Sequence, residues 1–206
     1  MYGLYVLAID YRGYGDSSRI SQVTETSLVH DATCAMEWLQ KNIHPEARII
    51  VWGHSLGTGV TCKLGSNVQL SLKRPNIFVL EAPFNSMKSI TSYLRENGTG
   101  LFGQTMGIIN KIFDYFADTM ALLETIDLSL DSERWLKDIK QPVFILHAKD
   151  DAIVPFELGE KLYLEMVRNS MDIKLFSFEA EYELGHDDIY KYKMIDTVLN
   201  EIMKYK

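Results

Sequence analysis

The stretch Val51-Trp52-Gly53-His54-Ser55-Leu56-Gly57-Thr58-Gly59 constrains this chain more than any other. The run Arg48-Ile49-Ile50-Val51-Trp52 leading into it reads as a short buried strand. The strand enters Gly-His-Ser-Leu-Gly, a G-x-S-x-G pattern, and small residues then open a segment able to be helical. A strand that turns at once into a helix needs residues without side chains at the bend, and Gly53 and Gly57 supply them. Such a turn lifts the Ser55 hydroxyl above the carboxyl end of a parallel sheet, with the positive end of the following helix aimed at it. The Leu56 N–H then becomes one donor for a developing oxyanion. A bare G-x-S-x-G recurs by chance, so it is the strand before and the helix after that make Ser55 a candidate nucleophile.

The rest of the chain alternates in the same way. Apolar runs predict strands over 4–9, 77–80, 142–146 and 173–178. Helical spacing of Leu28, Ala32, Ala35, Met36, Leu39 and Ile43 predicts a helix over 24–42, ended by His44-Pro45. Further helices are expected over 57–72, over 156–168, and from the turn at Leu184-Gly185-His186 to Tyr205. Strand and helix in turn specify an α/β fold, a mostly parallel sheet with helices on both faces. At 206 residues the chain is expected to form one domain over its whole length. Residues 84–138 interrupt the alternation and read as a cap insertion. Within it, Met106, Ile109, Ile112, Phe113, Phe116 and Met120 share one face of a helix predicted over 106–123. That stripe either packs into the core or lies over the site, where Phe113 and Phe116 would bind an acyl chain.

A serine hydroxyl needs a base, and the base needs an orienting carboxylate. In doubly wound hydrolases these follow the serine in the order acid, then histidine, each after a different strand. Asp150 and Asp151 follow the 142–146 strand, and His186 follows the last one. His186 is the one histidine downstream of the acids and so the expected base. Of the two acids Asp151 is favoured, because it stands just ahead of the turn Ala152-Ile153-Val154-Pro155; Asp150 is the alternative. His147 and His54 are expected to be structural, the latter packed under the elbow.

Composition narrows the partners. A net charge of −7 argues against nucleic acid. No stretch reaches the roughly 18 uncharged apolar residues of a membrane span, and no signal peptide is visible, since Asp10 and Arg12 interrupt the opening apolar run. The scattered histidines show no metal-ligand spacing, and Gly53 to Gly59 lacks the lysine of a phosphate loop, so no cofactor or metal is expected. Cys34 and Cys62 both fall in predicted helices and read as buried free thiols.

Taken together, Asp10-Tyr11-Arg12-Gly13-Tyr14-Gly15-Asp16-Ser17, Gly53-His54-Ser55-Leu56-Gly57-Thr58-Gly59, Glu81-Ala82-Pro83-Phe84 and Leu146-His147-Ala148-Lys149-Asp150-Asp151-Ala152-Ile153-Val154-Pro155 resemble the alpha/beta-hydrolase superfamily. Within it they are most similar to the alpha/beta-hydrolase domain-containing 12 type, the lysophosphatidylserine and monoacylglycerol lipases. The resemblance implies hydrolysis of lipid carboxyl esters or thioesters at an endoplasmic-reticulum membrane, with Ser55, Asp151 and His186 as triad. A serine peptidase or palmitoyl-protein thioesterase on the same scaffold is an alternative, as is an inactive fragment serving as an interaction module.

Two features depart from the group. Asp187 and Asp188 follow His186 where a lysine is usual, and two carboxylates close to the ring would favour its charged form. The chain also opens at what the superfamily numbers as its fourth strand. The earlier strands, the second oxyanion donor and the membrane anchor that the group carries upstream are not in this sequence. The 4–9 strand is therefore expected either to close up against the elbow strand or to leave a gap, giving poor solubility and weak activity.

Overall fold

The computed structural model describes residues 3–67, 74–97 and 128–205. The first helix, α1 (Glu25–Asn42), starts where a reciprocal cap forms. Thr24 Oγ1 accepts from Ser27 N–H at 3.1 Å, and Ser27 Oγ accepts from Thr24 N–H at 2.9 Å. The chain then builds β1 (Ile50–His54), α2 (Leu56–Ser66), β2 (Ile77–Glu81), α3 (Met87–Asn97), α4 (Ser132–Leu136), β3 (Val143–Ala148), α5 (Phe156–Arg168), β4 (Ile173–Phe178) and α6 (Ile195–Lys204). The strands form one parallel sheet in the order β1-β2-β3-β4.

Strand residues alternate between two cores, as the pleat requires. Phe78, Leu80, Val143 and Ile145 face one way, onto Leu28 of α1, Val60 of α2 and Leu162 of α5. Ile77, Val79, Phe144 and Leu146 face the other way, onto Val198 and Ile202 of α6. Both faces of the sheet are thus covered, which is why β2 and β3 are apolar almost throughout. The register aligns His54 with Glu81 and Glu81 with Leu146, so the carboxyl ends of β1, β2 and β3 come level.

One buried carboxylate fastens the segment that returns to the core at Leu128. Glu25 accepts from Leu130 N–H at 2.9 Å and from the Ser129 hydroxyl at 3.0 Å, and it pairs with Lys63 of α2. α1, α2 and the 128–130 segment are therefore tied through one side chain.

The structure corrects three expectations. Residues 4–9 form no strand, and their side chains face outward, Tyr5 and Val6 most of all. An apolar run becomes a strand only when a neighbour accepts its backbone groups; β1 pairs with β2 on one side, and among the described residues nothing pairs on its other side. Cys34 is exposed rather than buried, on the outer side of α1 beside His30. The helix after the elbow is described as far as Ser66, short of the expected 72. The cap helix expected over 106–123, with Phe113 and Phe116, lies outside the described residues.

Candidate active site

The elbow is built as its glycine spacing demands. Ser55 sits between β1 and α2 with φ 51° and ψ −119°, a conformation rare for a residue with a side chain. Its N–H is held by the Glu81 carbonyl at 2.9 Å, and its carbonyl accepts from Thr58 N–H at 2.9 Å and the Thr58 hydroxyl at 2.6 Å. A Cβ on Gly53 would meet the Gly57 carbonyl oxygen at 2.4 Å and Thr61 Oγ1 at 2.6 Å. The turn therefore closes only around a glycine at 53, whereas nothing crowds a Cβ on Gly57 more closely than the Tyr11 hydroxyl at 4.0 Å. Ser55 Oγ is buried and makes no hydrogen bond. Leu56 opens α2, so its N–H is among those a helix start leaves without an intrahelical acceptor.

The Tyr11 loop lies beside this turn. The Arg12 guanidinium and backbone N–H both bind Asp31 of α1, the latter at 2.9 Å, which fixes the loop. Burial, and secondarily the Asp31 charge, pushes the Tyr11 phenol up to about 12.

At the end of β3 the two acids divide the work. Asp151 Oδ2 accepts from His186 Nδ1–H at 2.8 Å, while its Oδ1 accepts from the N–H groups of Ile153 and Val154, each at 2.9 Å. The Ala152-to-Pro155 turn thus holds one oxygen and leaves the other for histidine. Asp150 points elsewhere: its Oδ2 accepts from Gly185 N–H at 2.9 Å and so supports the loop that carries His186. Burial alone would raise the Asp151 carboxyl, but hydrogen bonds from His147 and His186 hold it well below the usual carboxylate range.

His147 and His54 contribute more than their sequence positions indicated. His147 is fully buried, donates from Nε2 to the Val154 carbonyl at 2.9 Å, and brings the same nitrogen within 3.4 Å of Asp151 Oδ2. A Cβ on Gly159 of α5 would strike its ring at 2.2 Å, so that glycine makes room for it. His54 does not pack under the elbow; its Nε2–H donates to the His186 carbonyl at 2.9 Å. A signal for His147 was present: a histidine inside an apolar strand four residues before an acid needs a polar partner when buried.

The acidic pair after the base does not crowd its ring jointly. Asp187 Oδ1 lies 3.8 Å from His54 Nε2, and Asp188 is paired with Lys191 at 2.6 Å. His54, His186 and Asp187 are also a group close enough to share a metal ion, with ligand atoms within 4.8 Å of one another. The hydrogen bonds of His54 to the His186 carbonyl and of His186 to Asp151 already account for that proximity. The site thus gathers a buried serine hydroxyl, a histidine held by a buried carboxylate, and a helix start, at the carboxyl end of a parallel sheet where such folds place ligands.

Comparison with known proteins gives the arrangement its relatives. The family model Hydrolase_4, described as serine aminopeptidase S33, matches residues 1–107. The lysophosphatidylserine lipase ABHD12 of Danio rerio is 29% identical over 206 residues, covering 98% of this chain and 51% of the relative. That of Mus musculus is 30% identical, covering 98% and 48%. Protein ABHD12B of Homo sapiens is 35% identical over 172 residues, covering 82% and 43%. The chain spans about half the length of these curated relatives. Among solved structures, the Pyrococcus furiosus esterase Pf2001 superposes with a TM-score of 0.70 at 18% identity, covering 98% of this chain and 70% of the esterase. An esterase from Exiguobacterium antarcticum gives 0.62 at 18% identity, covering 95% and 80%. These superpositions carry the fold alone.

Proposed function

This chain belongs to the serine aminopeptidase S33 family of hydrolases and has the α/β-hydrolase fold, and on that premise we propose that it hydrolyses carboxyl esters of lipids through an acyl-enzyme on Ser55. The reading rests above all on the 2.8 Å bond between His186 Nδ1 and Asp151 Oδ2 at the sheet end that also bears the elbow serine. Asp151 keeps the imidazole in the tautomer whose Nε2 carries the lone pair. That nitrogen takes the Ser55 proton as the hydroxyl oxygen attacks the ester carbonyl carbon. The oxyanion that forms is met by Leu56 N–H, collapse expels the alcohol, and His186 returns the proton to it. Water activated by the same histidine then attacks the acyl-serine, releasing the fatty acid and restoring Ser55. The Ser55 hydroxyl makes no hydrogen bond before substrate arrives, so the proton path tightens on binding.

The relatives named lysophosphatidylserine lipase favour a lysophospholipid, with a monoacylglycerol as a second substrate of the same chemistry. A lipid substrate brings with it working contact with a membrane surface, at the endoplasmic reticulum if this chain follows the resemblance. Among the described residues no helix is long and apolar enough to cross a membrane. The family's description as a serine aminopeptidase keeps a peptidase reading alongside. Two assays separate them. Labelling by a fluorophosphonate, abolished in Ser55→Ala, reports the nucleophile. Release of fatty acid from lysophosphatidylserine, set against release of amine from an aminoacyl amide, reports the substrate. Labelling that persists in Ser55→Ala removes the mechanism, and amine release without fatty-acid release removes the lipase reading.

A further inference from the structure

β1 and β4 are the two edges of the described sheet, and the serine follows one while the base follows the other. Three inter-strand steps of ~4.8 Å separate them, so the loop after β4 must travel about 14 Å across the strand ends to bring His186 over Ser55. Two side chains fasten that loop along its route. Asp150, at the end of β3, takes the Gly185 N–H at 2.9 Å. His54, the last residue of β1 and the neighbour of Ser55, donates from Nε2 to the His186 carbonyl at 2.9 Å. The second bond is a direct tie between elbow and base, across 132 positions of sequence. The two histidine rings stand 4.7 Å apart and tilted by 48°, so neither can swing without meeting the other. His186 is otherwise held by Asp151 at its Nδ1, which orients the ring but leaves the loop's approach to β1 to other contacts.

We propose that His54 is a positioning residue: its bond to the His186 carbonyl sets the distance between the base and the Ser55 hydroxyl. This rests on the reading of Ser55, Asp151 and His186 as the catalytic group. The physical demand is a donor at the end of a side chain as long as histidine's, not an aromatic ring or a charge. Glutamine places an N–H donor where histidine has Nε2; asparagine places it where histidine has Nδ1, one bond too short; leucine places none.

The test uses the whole chain and the variants His54→Gln, His54→Asn and His54→Leu, with Ser55→Ala as control. The rate of fluorophosphonate labelling is measured together with the thermal midpoint and with amide exchange over 183–188. Leucine and asparagine are expected to slow labelling about a hundredfold, the cost of a misplacement near 1 Å. They should lower the midpoint by no more than about 4 °C and speed exchange in the 183–188 loop selectively. Glutamine is expected to restore both labelling and protection. Labelling by leucine at the wild-type rate, or glutamine as slow as leucine, overturns the proposal. Absence of labelling in the wild type refutes the serine-hydrolase reading instead; the loop then still reports on the tie, and exchange that is equal in leucine and wild type overturns it.

Discussion

At the scale of single residues, the acid pair carries the sharpest expectation. Asp151→Asn keeps the shape but presents a neutral amide to His186, which favours the wrong imidazole tautomer. Labelling of Ser55 and ester turnover should fall by about four orders of magnitude. Asp150→Asn retains an oxygen able to accept from Gly185 N–H, so its loss should stay within about tenfold. The reverse ranking would hand the orienting role to Asp150. Acid has a separate signature. In the unfolded chain Asp151 titrates at its ordinary 3.8, and in the folded one its carboxyl is held lower. Its contribution to stability is therefore full above pH ~4 and is lost as pH falls through the depressed folded value. Denaturant midpoints of wild type and Asp151→Asn should differ most near neutrality and converge toward pH 3; a gap that widens in acid contradicts the assignment.

At the scale of elements, the elbow and the Glu25 fastening can be probed independently. Gly53→Ala forces a methyl into the Gly57 carbonyl and Thr61, both backbone-anchored neighbours, and should cost about 1–3 kcal/mol. Gly57→Ala meets no atom nearer than 4.0 Å and lies in the first turn of α2, where alanine suits the helix, so its unfolding midpoint should hold or rise. Equal losses in the two would mean that close approach does not explain the glycine at 53. Glu25→Ala strands Lys63, Leu130 N–H and the Ser129 hydroxyl together, and breaking such a buried pair costs about 3–5 kcal/mol. Glu25→Gln keeps an acceptor for the 128–130 segment and should cost clearly less in the same denaturant titration.

At the scale of the molecule, the described surface carries an apolar ribbon beside an open strand edge. Leu4, Tyr5, Val6 and Leu7 are exposed at 56%, 103%, 86% and 45%. Trp52 of β1 is also exposed, its indole held by Glu81 at 2.8 Å. Exposed apolar runs next to unpaired strand edges favour self-association. The double variant Tyr5→Lys, Val6→Lys should therefore shift the chain toward monomer in sizing with light scattering at raised concentration. It touches neither the sheet nor the site, so its thermal midpoint should stay put; unchanged association would mean that the ribbon is not the adhesive surface.

The sequence by itself determined what depends on local pattern. The G-x-S-x-G turn needs only neighbouring glycines, and the helix over 24–42 and the strands of the sheet follow from spacing and apolar runs, so these were legible to within a residue or two. The candidate site residues Ser55, Asp151 and His186 were legible because each follows a separate strand in an order that brings them to one edge. Tertiary structure decided whatever depends on a neighbour distant in the chain. The apolar run at 4–9 has the composition of a strand, but strand formation needs a hydrogen-bonding partner, and β1 offers it none among the described residues. Cys34 sits on a helix whose outer side no other described element covers, so helical periodicity alone could not place it. The division of Asp150 from Asp151, one on Gly185 N–H and the other on the imidazole, turns on where the loop after β4 crosses the sheet. The same crossing put His54 on the His186 carbonyl, because a bond across 132 positions is a property of the folded chain and of no segment within it.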